Sequence, residues 1–258
     1  KESSASASEK IDYFTISTEA FKKAQELDTR KEFPKEIYRY QRIINNVLLS
    51  EGVIKYNDKD YSTAVSYFGL SETAANNIGV LDTLATYNSG LAYEKLGQTD
   101  KAYQKYQKCA EVGYGGPSIY YFIYYLLKNN GQEEKAKASL AEGRIKFPND
   151  PDLVNTQLNL YLQNNNHEQA LSLINHAITL DQTNPVYFFV RGTVKESLLK
   201  PGSSIVSDYQ EAIKLNPEYF DANYNLGAYY YNLAVDLKME SNELEDFDEA
   251  YKMVKMAD

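Results

Sequence analysis

The sequence predicts an all-α protein, an α-solenoid of stacked helix pairs, and three observations carry that prediction. Residues of one kind recur at a fixed interval: Pro117, Pro151 and Pro185 are 34 residues apart, as are Ala102, Ala136 and Ala170, and as are the small residues Cys109, Gly143 and Ala177. Turn formers such as LGQTD (96–100) and NGQEE (130–134) divide each interval into two stretches of helix length. The second stretch carries apolar or small residues at helical spacing, as in AYQKYQKCAEV with Ala102, Tyr106 and Cys109. Supersecondary units of this length cannot bury a core alone and do so by stacking on their neighbours.

Taken in order, residues 1–10 (KESSASASEK) are small and polar and read as a disordered spacer of the kind that follows a processed signal or a lipid-attachment site. Residues 11–44 hold a half repeat and the start of a long helix: TEAFKKAQELD (18–28) has the pattern of a lone second helix, and PKEIYRYQRIINNVLLSEGVIKY (34–56) that of an over-long first one. Six units follow at 45–82, 83–116, 117–150, 151–184, 185–219 and 220–258. Proline opens several first helices, where its missing N–H costs nothing. Gly192 and Gly227 are 35 residues apart, which places one extra residue at the KPGSS turn around Pro201. Gly227 to Ala250 spans 23 residues against 12 from Gly90 to Ala102, so the last unit has an extended first helix and a longer acidic loop within LAVDLKMESNELED. KMVKMAD falls inside a second helix whose apolar face needs covering, and self-association through this C-terminal helix is one way to cover it.

The units resemble the tetratricopeptide repeat (TPR). DANYNLGAYYY (221–231) is similar to the start of the family's first helix, with Asn225, Leu226, Gly227 and Tyr230 in place. YNSGLAYEKLGQTDKAYQKYQKCAEVG (87–113) matches almost a whole unit through Gly90, Tyr93, Gly97, Ala102, Tyr106 and Cys109, and GVIKYNDKDYSTAVSYF (52–68) supplies Gly52, Tyr61, Ala64 and Phe68. The resemblance implies a right-handed superhelix whose concave face is lined by the first helix of each unit.

That face is where a partner is expected. In IYYFIYYLL (119–127), Tyr121, Tyr125 and Lys128 share one helical stripe; Tyr120, Ile123, Tyr124 and Leu127 form a second, and Ile119, Phe122 and Leu126 a third. The last two are expected to be consumed by neighbouring helices, which leaves Tyr121 and Tyr125 without an assigned partner in the fold. Equivalent slots give Tyr87 and Leu91, then Asn155 and Asn159, then Phe189, then Tyr224 and Tyr231. Rigid aromatic area and amides that pair with backbone groups suit a peptide or loop of another protein. The lysine, arginine and asparagine clamp of a chaperone-binding subclass is missing from the corresponding slots, which hold Leu49, Val53, Asn88, Leu91, Ser118 and Phe122. Two other roles fit the composition: glycan or nutrient capture in a bacterial envelope by tyrosines clustered with amides, and structural oligomer assembly.

No catalytic residue, metal site or cofactor is expected. His167 and His176 are nine residues apart, off a common helical face, and read as surface histidines. Cys109 sits in the small slot of a packed helix and reads as a buried structural thiol. GYGGP (113–117) reads as a helix stop and a proline start, because a phosphate loop would carry a preceding strand and a Lys-Ser/Thr pair. A formal charge of −9 without a basic cluster argues against nucleic acid, and the nine-residue apolar run is about half of a membrane span. The Ser/Ala-rich start and the Tyr/Asn-heavy repeats resemble exported TPR proteins of bacterial envelopes, so a periplasmic or envelope-associated location is expected, a cytoplasmic one being the alternative.

Overall fold

The computed structural model describes residues 6–240, and among these it has twelve helices and no strand. The chain divides into two compact units, one up to Lys146 and one from Phe147. In the N-terminal unit α1 (Ala7–Leu27) lies against both α2 (Pro34–Asn57) and α3 (Tyr61–Asn77). From α2 onward each helix packs on the next, through α3, α4 (Thr83–Lys95), α5 (Thr99–Glu111), α6 (Gly116–Asn129) and α7 (Glu133–Lys146). The C-terminal unit follows the same rule through α8 (Pro151–Gln163), α9 (His167–Leu180), α10 (Pro185–Ser197), α11 (Gly202–Leu215) and α12 (Phe220–Glu240). This sequential packing is that of an α-solenoid, the fold class the repeat period predicts.

Local chemistry sets the helix ends. Asp60, Asp82, Asp150 and Asn184 each accept a hydrogen bond from a backbone N–H of the following first turn, at 3.3, 2.9, 3.0 and 3.0 Å, which satisfies a donor that the helix leaves orphaned. Prolines 34, 117, 151 and 185 occupy the first turn. Five first helices end on a left-handed residue: Lys59 (φ 65°), Gly97 (69°), Gly131 (73°), Asn165 (55°) and Leu199 (53°). After each, the next N–H reaches back six residues' span to a carbonyl, as Gln98 does to Tyr93 at 2.9 Å and Lys200 to Lys195 at 3.0 Å. The next helix starts at Thr99, Glu133 and His167, two residues on, but at Gly202, three residues on, after Leu199. The extra residue of the 35-residue interval lies in that turn.

The small slots let helices close. Ala64, Ala102, Ala136 and Ala170 are all buried. At Gly52, Gly90 and Gly192 a Cβ would come within 2.5, 2.6 and 2.6 Å of the rings of Phe68, Tyr106 and Tyr209 on the paired helix. Each glycine therefore carries an aromatic ring on its backbone. Two of the rings bear a hydroxyl, and each donates to a glutamate one turn beyond its glycine, Tyr106 to Glu94 at 3.0 Å and Tyr209 to Glu196 at 2.8 Å. Phe68 bears none, and the residue one turn beyond Gly52 is Tyr56.

Two expectations change. Residues 7–10, read as part of a disordered spacer, belong to α1, because Ser6 and Glu9 form a reciprocal capping box with contacts of 3.2 and 2.7 Å. The first helix of the last unit does extend to Glu240, whereas the acidic loop and the closing helix expected after it lie outside the described residues.

Candidate interaction surface

In the N-terminal unit the residues singled out are Tyr87, Leu91, Tyr121, Tyr125 and Lys128. Tyr87 on α4 is half-buried, its ring 5.7 Å from that of Tyr106 and 5.7 Å from that of Tyr114, the latter in the turn before α6. Burial holds its phenol above the ordinary tyrosine range, with Tyr114, Cys109, Glu94 and Tyr56 near enough to add to the effect. Leu91, one turn on, is half-buried too. On α6, Tyr121 and Tyr125 are one turn apart and their rings meet at 4.6 Å, inclined by 53°. Tyr125 also meets the edge of buried Tyr124 at 5.0 Å, and the Lys128 ammonium lies 5.5 Å over the Tyr124 ring. Tyr121 and Tyr125 thus have partners in the fold, against expectation, and each is half-buried. A second correction concerns Phe122, expected inside and 45% exposed, while the other eight residues of 119–127 are buried or half-buried. Phe122 sits on the arc of α6 away from the buried stripe of Ile119, Ile123 and Leu127.

The other five belong to the C-terminal unit and fare differently. Asn155 accepts a hydrogen bond from the Tyr187 hydroxyl at 3.0 Å, so its amide oxygen is used by the fold. Phe189 is packed at 5.2 Å on Tyr219 and 6.1 Å on Tyr209 and belongs to the core around Ala212 and Ala222. Asn159 is exposed. Tyr224 and Tyr231 are 65% and 69% exposed, Tyr224 stacking on Phe220 at 6.0 Å.

Two tyrosines outside the expected set join the surface of the N-terminal unit. Tyr56 at the end of α2 meets the edge of Tyr61 at 5.3 Å, and Tyr114 touches Tyr87. Tyr56 occupies the slot that Glu94 holds one repeat later, four residues after the glycine in both cases, so the repeat alignment carried the signal. Buried polar ties were not foreseen at all. Glu72 on α3 accepts from Lys105 on α5 at 2.6 and 2.7 Å and from Ser89 on α4 at 3.1 Å. Asp208 on α11 is gripped by Arg191 through Nε and Nη2, at 3.0 and 2.6 Å, and by Lys195 at 2.7 Å, both from α10. Asn45, Ser71 and Asp82 form a third network across α2, α3 and the α4 cap.

Cys109 is buried, and burial pushes its thiol up to about 11, the opposite of an activated nucleophile. His167 is half-buried and its Nδ1 is buried without a hydrogen-bond partner, which corrects the surface reading; His176 is half-buried as well. Among the described residues no group of three or more His, Cys, Asp or Glu is placed to hold a metal ion, and no helix is long and apolar enough to cross a membrane.

The tetratricopeptide repeat family model matches residues 85–112 and 153–184, which are α4–α5 in the first unit and α8–α9 in the second. No curated protein matches the sequence. Among solved structures, the chain is similar to the C-terminal part of a TPR repeat-containing protein from Cytophaga hutchinsonii, at 18% identity and a TM-score of 0.55, over 96% of this chain and 92% of that one. It is also similar to YrrB, a TPR protein with an unusual peptide-binding site, at 15% identity and a TM-score of 0.48, over 81% of this chain and 98% of that one. MamA from Desulfovibrio magneticus RS-1 aligns at 15% identity and a TM-score of 0.47, over 68% of this chain and 96% of that one. The chain thus carries a matched tetratricopeptide repeat in each unit, within a sequence of period 34, and the two helices of each matched stretch pack against each other.

Proposed function

We propose that the protein is a non-catalytic interaction scaffold that holds a peptide or loop of a partner protein against the tyrosine surface of its N-terminal unit. The observation that carries this is a row of half-buried tyrosines, Tyr56, Tyr87, Tyr114, Tyr121 and Tyr125, contributed by α2, α4, α6 and the turn before α6. A half-buried ring held by neighbours loses little entropy on binding and presents both an apolar face and a hydroxyl. The C-terminal unit contributes less to this reading, since Asn155 and Phe189 are engaged by the fold. The rings are spread over three helices instead of closing one pocket with amides, which favours an extended peptide over a sugar.

The test is panning of a displayed random dodecapeptide library against the protein, followed by the double variant Tyr121→Ala/Tyr125→Ala. Peptides that bind the protein are expected to lose at least tenfold in affinity on the variant while its helical circular dichroism and melting stay close to those of the parent. Undiminished binding to a folded variant refutes the surface.

A further inference from the structure

We infer that the tyrosine row takes a proline-rich segment in the polyproline II conformation. The inference rests on the scaffold reading and names the class of peptide. Among the ways a protein holds a peptide, strand addition needs an open sheet edge, and no strand occurs among the described residues. Capture of an acidic or phosphorylated motif needs a cluster of arginines, and no arginine occurs between Arg42 and Arg144, the stretch that carries the row. Docking of an amphipathic helix needs an aliphatic trough; the row offers Leu91 among aromatic rings, exposed Phe122 meeting Tyr121 at 6.1 Å.

Polyproline II fits what remains. Its backbone makes no internal hydrogen bonds, so its carbonyls are available to phenol donors, and its stiffness removes most of the entropy lost on ordering. Its flat pyrrolidine rings pack on aromatic faces without needing charge. The repeat distances agree as well. Three residues of polyproline II rise about 9 Å, and packed neighbouring helices lie about 8 to 10 Å apart. α2 and α4 are in direct contact, so prolines three residues apart can meet Tyr56 on one helix and Tyr87 on the next. The inclined pairs Tyr87–Tyr114, at 57°, and Tyr121–Tyr125, at 53°, make notches of the kind a proline ring enters edge-on.

The experiment titrates fluorescein-labelled dodecaproline with the full chain and follows anisotropy, with a labelled Gly-Ser dodecapeptide as comparator. Dodecaproline is expected to bind saturably and at least tenfold more tightly than the Gly-Ser peptide, and Tyr87→Ala and Tyr125→Ala each to weaken it roughly tenfold. Ile145→Ala, at an 81% exposed position on α7, is expected to leave it unchanged. Tyr125→Phe keeps the ring and serves where an alanine variant loses its helical signal; it is expected to retain most of the affinity. No saturation up to about 1 mM, or equal affinity for the two peptides, overturns the proline assignment. Library peptides free of proline whose binding still depends on Tyr121 and Tyr125 would then leave the scaffold reading standing, whereas their absence as well would remove both.

Discussion

The pairs α4–α5 and α10–α11 solve the packing of two helices differently from α6–α7 and α8–α9. In the first kind a glycine receives a tyrosine ring and a glutamate receives its hydroxyl: Gly90, Tyr106 and Glu94 in one, Gly192, Tyr209 and Glu196 in the other. In the second kind the glycine slot is filled by Tyr124 or Leu158, the tyrosine slot by Leu140 or Ile174, and all four are buried. One kind lays a ring on bare backbone and the other sets two large side chains side by side, and the space between the helices is filled in both. The difference teaches that the repeat requires a filled interface and not a given residue at a slot. The polar tie follows the same division. A buried tyrosine hydroxyl requires an acceptor and the repeat supplies Glu94 or Glu196; where the aromatic is Phe68, no acid stands in that slot, and Tyr56 there packs half-buried on the core around Phe68 and Ala64.

The largest effect expected from breaking this arrangement is at Asp208, the second polar tie of the α10–α11 pair. Its side chain is 3% exposed between Arg191 at 21% and Lys195 at 18%. Asp208→Ala leaves two largely buried cations facing each other and is expected to cost about 3 kcal/mol. The loss would be read as a lower urea midpoint at unchanged slope in helical circular dichroism. Glu72→Ala strands one cation, Lys105 at 25% exposure, and is expected to cost less. A loss at Asp208 no larger than about 1 kcal/mol, the worth of an exposed pair, would show that solvent reaches the tie.

The repeat was legible because its markers are steric and therefore obligatory. A proline in the first turn, an alanine between helices and a small residue at the slot of Cys109, Gly143 and Ala177 admit few substitutes, and each left a ladder in the sequence. The surface was only half legible. Helical phase places Tyr121 and Tyr125 on one stripe, but phase does not reveal that two rings one turn apart fold onto each other, nor that Tyr187 reaches Asn155. Those contacts depend on side-chain rotamers and on the neighbouring pair. Tyr56 and Tyr114 were hidden for another reason: one stands in a glutamate slot and the other in a turn, outside the first-helix phase. The ties at Glu72 and Asp208 join residues up to 33 positions apart whose charges look like ordinary solvated ones until packing buries them.

An intermediate effect tests the packing of ring on glycine directly. Gly90→Ala places a Cβ 2.6 Å from the ring of Tyr106, which is 1% exposed and tethered to Glu94. Overpacking of this kind is expected to cost about 1 to 3 kcal/mol, and Gly192→Ala the same. Gly69 lies in the interior of α3 with nothing near its missing Cβ, so Gly69→Ala is expected to gain about 0.5 to 1 kcal/mol. Opposite signs for one substitution in two helices isolate the ring as the cause. Adding Tyr106→Leu to Gly90→Ala moves the pair toward the α6–α7 solution and is expected to recover part of the loss in a double-mutant cycle; simple additivity would mean that the two slots do not share one space.

The smallest effect lies in the turn that both kinds of pair share. Gly97, Gly131 and Asn165 take the left-handed conformation at little cost, while Lys59 and Leu199 hold φ 65° and 53° at the same slot, Leu199 with its side chain 92% exposed. A leucine there pays for Cβ crowding against its own carbonyl, about 1 to 2 kcal/mol in left-handed backbone, and glycine returns some of that difference through the greater freedom of its unfolded state. Leu199→Gly is therefore expected to stabilise the C-terminal unit by about 0.5 to 1 kcal/mol, with Leu199→Asn between the two, as a rise in the urea midpoint. The same exchange in reverse, Gly131→Leu, is expected to destabilise by a similar amount. Because the turn after Leu199 is one residue longer than the others, the outcome also distinguishes two causes of the strain. A full gain at Leu199 means that the backbone at this slot is fixed by the six-residue closure to Lys195. No gain means that the added residue lets the turn relax around the leucine, and the recurring glycine then belongs to the short turns alone.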